Sequence, residues 1–385
     1  MMIAPGRIRS SARGTGRGAQ PISAARQGRI AAWAALAALA GCLLGACGGA
    51  EGEERGGTAS FDLSAVSADP QAYEGPSTAT VADSAITPIT DAPNPELPAT
   101  VVDAQGSEVT VTDVSRILAL DIYGTTSRIV FSLGLGPNVV GRDTSSAFPE
   151  IKDLPRVTPS GNTLSAEAIL ELAPSVIITD TSLGPWDVLL QIREAGVPVV
   201  VVDSHRSIES NPTLIQQVAD ALGVSADGAR LAQRTSEEVA AATQTIAQAA
   251  PADDAKKLRM MFLYLRGSAG VYYVFGADSG VDSLITALGG VDVATEVGWV
   301  GMQPVTDEGL VSMNPDLILV MTRGIESVGG VDGLLERFPA VAATPAGAKR
   351  RVVDMDDSQM LAFGPSTPAV LTALAQAIYA PGSAG

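Results

Sequence analysis

Histidine and cysteine are almost absent. The 385 residues include one histidine, His205, and two cysteines, Cys42 and Cys47, both near the N-terminus. That scarcity excludes a disulfide-stapled scaffold, a Cys/His metal centre and most histidine-based metal catalysis. There is no Gly-x-Ser-x-Gly elbow and no phosphate-binding P-loop. Glu167 and Glu308 are acids at helix starts, explained by the helix dipole rather than by acid–base work. The chain therefore reads as a protein that is not an enzyme. Basic residues are also outnumbered, 25 against 42 acids, for a formal charge of −17. Bulk charge of that sign argues against nucleic acid or an anionic membrane surface as partner. Aromatics are only 4% of the chain, so a tyrosine placed where a buried strand ends calls for an explanation.

What is present is organised from the N-terminus. Residues 1–46 carry six arginines and no acid, and include the uncharged apolar run "IAAWAALAALAGCLL" at 30–44. That run is shorter than the roughly 20 residues of a spanning helix. A basic region, a short apolar core and small residues make a secretory signal. "LAGC", ending at Cys42, and "LLGAC", ending at Cys47, both resemble the lipobox of bacterial lipoproteins, whose cysteine is lipidated and becomes the new N-terminus. Cys47 is preferred, because apolar residues continue past Cys42. Removal of the signal takes the formal charge to −23, with six arginines and no acids lost. Residues 47–110, rich in Gly, Ala, Pro, Ser, Thr and Asp, are expected to form a flexible tether, with short strand-like pieces near Ala99–Val102 and Val109–Val111 that could begin the folded domain.

From Arg116 strand and helix patterns alternate. "RILAL", "NVVG", "SVIIT" and "VPVVVVD" read as strands. "TSRIVFSLG", "SAEAILELAP" and "PWDVLLQIREAG" read as helices, the second with Ser165 as its N-cap. Continuous β-branched runs suit parallel strands covered on both faces, and the alternation argues for an α/β layer. The pattern then repeats. Residues 165–174, followed by "SVIITD", align without gaps with residues 306–315, followed by "DLILVM". Each copy starts with a capping hydroxyl, has Glu two residues on and reaches Pro nine residues on. "WDVLLQI" and "VDGLLER" follow. Two similar lobes are expected, at 111–225 and 251–385. The Ala-, Gln-, Glu- and Arg-rich stretch 226–250 between them reads as one helix, about 36 Å long at 1.5 Å per residue, acting as a strut.

Two α/β lobes, a long connecting helix, a lipobox and a tether together resemble the substrate-binding lipoproteins of ABC importers for siderophores, cobalamin and haem. The likeness covers roughly residues 116–380. "GLGPNVVGRDTSS", "YLRG", "YYVFGADSGVDSLITALGGVDVA", "GIESVGGVDGLLE" and "MLAFGPSTPAVL" make it similar to the actinobacterial hemin-binding members. The resemblance implies two Rossmann-like lobes joined by one long helix, with the ligand cleft between them. It implies ferric haem as transported ligand, and a permease with its ATPase as partner. It also implies a monomer outside the cytoplasm, held to the membrane by its N-terminal lipid. The strut implies a small hinge motion.

Within the family a Tyr-x-Arg follows the first strand of the second lobe. The tyrosine gives phenolate oxygen to the iron, and the arginine hydrogen-bonds it. Carried over, these are Tyr264 and Arg266. A free phenol ionises near pH 10, so ferric iron and a nearby cation are needed to keep it phenolate at neutral pH. Residues two apart on a strand share a face, and tyrosinate is a recognised haem ligand.

In the other lobe the family usually has His or Tyr just before the "LSAEAIL" helix, as second axial ligand. Here Asn162 stands there, and the repeat sets Gln303 opposite it. The iron is then held by Tyr264 alone or with water, or another side chain fills in, or the ligand is not haem. A ferric siderophore or a corrinoid is the alternative. Few clear arginines are available for an anionic siderophore: Arg142, Arg266 and Arg323. His205 and, more weakly, Met302 are candidate fillers. Other candidate cleft residues are Trp299, Tyr272 or Tyr273, and Phe363. Arg142, Ser366 and Thr367 are candidates for a propionate. Glu326 and Asp187 are candidate permease-docking acids, one per lobe.

Overall fold

The computed structural model describes residues 61–81 and 85–382. The signal region, Cys42 and Cys47 lie outside the described residues. In chain order the structure begins with β1 (Ser77–Ala79), β2 (Ala99–Val102) and β3 (Glu108–Val111). The first lobe follows: β4 (Ile117–Leu120), α1 (Thr125–Ser132), α2 (Ala166–Glu171), β5 (Val176–Thr179), α3 (Trp186–Glu194), β6 (Val199–Val201) and α4 (Asn211–Ala221). The strut is α5 (Ser225–Ala249). The second lobe contains β7 (Arg259–Arg266), β8 (Val271–Phe275), α6 (Val281–Ala287), β9 (Val291–Asp292), α7 (Val293–Glu296), β10 (Met302–Pro304), α8 (Asp307–Met313) and β11 (Leu317–Met321). It closes with α9 (Thr322–Ser327), α10 (Gly330–Arg337), α11 (Pro339–Ala342), α12 (Pro345–Ala348), β12 (Val352–Met355) and α13 (Thr367–Tyr379).

Each lobe is a sheet covered on both faces, as the continuous apolar runs require. β4, β5 and β6 are parallel neighbours. Alternate residues enter two cores. Ile117, Ala119, Val176 and Ile178 enter one, while Leu118, Leu120 and Ile177 enter the other. The second lobe repeats this. Met260, Phe262, Leu317 and Leu319 face one core; Met261, Leu263, Leu265, Ile318 and Val320 face the other. The repeat is visible in the register. β4 sets Ile117 beside Val176, and β7 sets Met260 beside Leu317. Ser165 and Thr306 cap α2 and α8 through the backbone N–H three residues on. "NVVG" is not a strand; a short 3₁₀ turn leads to a single bridge between Ile117 and Val139.

Residues 61–81 and 85–98, expected as tether, pack instead against the lobes, and the strand-like pieces at 99–102 and 109–111 form the antiparallel pair β2–β3. β1 pairs in parallel with β12 and extends the second lobe's sheet. Phe61 is buried in that lobe's core, a contribution on the order of 2 kcal/mol. Arg351, 1% exposed, donates to Ser77 Oγ and to the carbonyls of Ala377 and Ile378, which fastens β1 to α13. Past residue 85 the chain lies on the first lobe, where Ile86, Ile89, Val101 and Val111 join the core. Composition hid this, because isolated apolar residues between Pro, Gly and Ser show no period and yet each enters a core. The chain therefore crosses between lobes here as well as along α5.

The lobes touch where their strands end. Tyr123, after β4, and Ile208, after β6, rest on the same core cluster that Tyr264 and Tyr273 join. Gly280, at φ +86°, begins α6 so close to the Arg206 carbonyl that an added Cβ would lie 2.0 Å from it. Asn211 of α4 donates to Thr367 Oγ1 and accepts from the Gly364 N–H, so the first lobe is pinned to the start of α13.

Candidate functional site

β7 carries the central feature. Near its C-terminal end Tyr264 is half-buried and Arg266 exposed. Arg266 Nε donates to the Tyr264 phenol oxygen at 2.5 Å, and its guanidinium lies 5.4 Å from the ring centre. That hydrogen bond is the first cause of a raised Arg266 pKa, so the arginine is firmly cationic. The ring also stacks on Phe275, with centroids 6.2 Å apart. Antiparallel pairing places Tyr264 opposite Tyr273 and Phe262 opposite Phe275. The next strand places Pro304 opposite Tyr273 and Met302 opposite Phe275. Paired residues share a face. Tyr264, Arg266, Tyr273, Phe275 and Met302 therefore share one face of the sheet, with the Tyr264 phenol oxygen at its end.

The equivalent strand ends of the first lobe are closed. Asp121 and Asp180 follow β4 and β5, and Arg206 follows β6. All are buried, with Asp143 beside them. Arg206 Nη2 lies 2.6 Å from Asp180 and 3.6 Å from Asp121, and its Nη1 donates to the Asp203 carbonyl. Asp121 accepts the N–H groups of Tyr123, Thr125 and Thr126 and so caps α1. Burial, reinforced by Asp121, pushes the Asp143 carboxyl up to about 7. Burial likewise raises Asp180, against the opposing pull of Arg206. The register sets Asp121 where the second lobe has Tyr264. The first lobe thus buries its polar strand ends in one ionic cluster, whereas Tyr264 and Arg266 at the end of β7 stay partly or fully exposed.

A family model described as periplasmic binding protein matches residues 122–359. The chain belongs to the periplasmic binding protein family. It is 24% identical over 286 residues to the uncharacterized ABC transporter substrate-binding lipoprotein YvrC of Bacillus subtilis (strain 168), across 73% of this chain and 86% of that one. Among solved structures it is 42% identical to the heme binding protein HmuT, with a TM-score of 0.76 over 81% of this chain and 99% of that one. HmuT has also been solved with a tyrosine, an arginine two positions further on, and a histidine each replaced by alanine. RhuT from Roseiflexus sp. RS-1, a periplasmic heme-binding protein, is 40% identical, with a TM-score of 0.63 over 69% of this chain and 98% of that one.

Several expected cleft residues of this periplasmic binding protein lie elsewhere. Tyr272 and Gln303 fall on the opposite face of the sheet from Tyr264, by alternation. Tyr272 packs edge-on to Phe338 and accepts from Arg337, while Gln303 Nε2 donates to the Val300 carbonyl. Trp299 lies against Gly309 at the start of α8, within the core of that opposite face. Phe363, 4% exposed, belongs to the second-lobe core. Arg142 is committed to the carbonyls of Lys152, Asp143 and Ser146. Thr367 is buried against Asn211. His205 is exposed after β6, with its backbone N–H held by Asp203. Asn162 is exposed in the turn bridged by Ser160 and Thr163. Asp187 and Glu326 are both exposed. Among the described residues no three His, Cys, Asp or Glu side chains are placed to hold a metal, and no helix is long and apolar enough to cross a membrane.

Sequence reasoning missed the buried Asp121–Asp143–Asp180–Arg206 cluster. Its signal was an aspartate directly after each of two strands, in "LALD" and "IITD".

Proposed function

We propose that this protein is the extracytoplasmic substrate-binding component of an ABC importer. It captures ferric haem between its lobes and presents it to a permease and its ATPase. The observation that carries this reading is the Tyr264 oxygen, held by Arg266 at the open end of β7, in a chain 42% identical to a heme binding protein. Tyr264 anchors the iron and Arg266 stabilises its phenolate. Tyr273 and Met302 offer the flat and soft surface beside the macrocycle. Lipidation at Cys47, or at Cys42, tethers the protein to the membrane. Asp187 at the start of α3 and Glu326 near the end of α9, one exposed acid per lobe, meet basic groups of the permease.

The test is a titration of the mature protein with hemin, followed by visible absorption. A saturable one-to-one complex with a ferric tyrosinate-type spectrum is expected. No saturable change would sink the haem reading, and ferric siderophores and corrinoids would then be screened.

The exposed amide of Asn162 leaves the first lobe without an axial ligand. Asn162→His is expected to shift the Soret and visible bands and to tighten ferric haem by at least about tenfold, since even outer partners of a metal ligand contribute that much. Absorption spectra and the rate of haem loss to a scavenger globin check this. If neither changes, position 162 does not reach the iron.

A further inference from the structure

The arginines near the strand ends are nearly all committed. Arg128 is buried over the Phe148 ring and points at the Ser358 carbonyl. Arg142 serves three carbonyls, Arg206 serves the buried aspartates, and Arg266 serves Tyr264. Arg323 differs. It is exposed, and its guanidinium has no hydrogen-bond or ion-pair partner among the described residues.

Arg323 also lies beside the Tyr264 end of β7. β11 pairs in parallel with β7 and passes directly into α9. The start of α9 lies on the turn that follows Tyr264. A Cβ on Gly324 would sit 3.0 Å from the Leu265 carbonyl, and one on Gly267 would sit 2.4 Å from that of Ser327. The Gly267 N–H donates to Ser327 Oγ at 2.8 Å. Asp357, after β12, accepts the Arg323 backbone N–H at 3.0 Å, and its charge also reaches Arg266. One carboxylate thus fixes the first turn of α9 and lies within electrostatic reach of Arg266.

The repeat sharpens the contrast. The same offset that aligns the lobes sets Met321 where the first lobe has Asp180, the internal partner of Arg206. The second lobe has no acid at that point, and Arg323 stands two residues on, where the first lobe has Ser182. A planar guanidinium suits a carboxylate held by two parallel hydrogen bonds.

We infer that Arg323 receives a carboxylate arm of the ligand whose iron is held by Tyr264, with Asp357 as the positioning residue that fixes the first turn of α9. The inference rests on the haem reading, where that arm is a porphyrin propionate. The contact is partly solvated, which limits its strength.

The test compares ferric haem with its dimethyl ester, in which both propionates are uncharged. Wild-type mature protein and Arg323→Ala are titrated with each, with Arg323→Lys alongside. Arg323→Ala is expected to weaken haem about three- to tenfold, leave ester binding unchanged and preserve the tyrosinate-type spectrum. Arg323→Lys is expected to recover part of the loss, because it restores charge without the fork. Equal weakening of both ligands, or none for haem, would overturn the assignment. Wild type binding neither compound would overturn the assignment together with the haem reading. The missing spectrum would mark that case.

Discussion

Tyr264→Phe is expected to weaken ferric haem more than about 100-fold and to abolish the tyrosinate-type spectrum. The substitution is narrow. The ring keeps its place beside Phe275 and opposite Tyr273, so the strand and its core are undisturbed. Only the oxygen that accepts from Arg266 is lost. Outer partners of a metal ligand are typically worth 10- to 100-fold in metal affinity, and the ligand itself is worth more. Asn162 offers no strong substitute from the other lobe. Titration followed by absorption reads affinity and ligation together, and circular dichroism confirms that the fold is intact. A phenylalanine variant with wild-type affinity and spectrum would place the iron elsewhere, and His205 would be tested next.

Arg206→Met is expected to cost about 3–5 kcal/mol of stability near pH 8, the range for breaking a buried ion pair from one side, and much less near pH 5. Arg206 is the only cation bonded to the buried Asp121 and Asp180 among the described residues. Without it, two or three carboxylates share a dry site. Burial already raises Asp180, and holds Asp143 at about 7. An unfolded aspartate ionises near 4. A carboxyl raised in this way keeps its proton longer in the native state. Its contribution is therefore greatest below the unfolded value and is lost as pH rises through the folded one. Removing Arg206 takes away the influence that lowers Asp180, which widens the window in which acid rescues the variant. Urea unfolding at pH 5 and pH 8 measures this. An equal loss at both values would show that protonation does not relieve the cluster. A loss below about 1 kcal/mol would show that Arg206 is not what holds it.

These two residues show what the sequence made legible. Tyr264 stood out because a rare aromatic followed a long apolar run, and its spacing to Arg266 implied a shared face. Strand alternation is strict, so that inference was safe. Trp299 and Phe363 looked like cleft aromatics, but nothing local distinguishes an aromatic that lines a cleft from one that fills a core. Tyr272 and Tyr273 could not be separated until the β7–β8 register was known. Arg206 was invisible, because its partners come from three different strand ends. The lobes and α5 announced themselves through repetition and length. Residues 61–98 did not, because scattered apolar residues there enter cores formed by other parts of the chain.

That last feature governs the order in which the molecule can be completed. Thr78 on β1 bonds Asp354 on β12 across 276 residues of chain. The second lobe is built from both ends of the sequence, with the first lobe threaded between them. A chain leaving the membrane N-terminus first can close the first lobe early. β1 must wait, unpaired, until β12 has emerged. Contacts so far apart form late, since the intervening loop must be closed before they are rewarded. The sheet that carries Tyr264 is thus the last part to be finished. A partly translocated chain displays the closed, internally neutralised lobe and lacks the finished open one, so ligand capture begins only once synthesis and export are done.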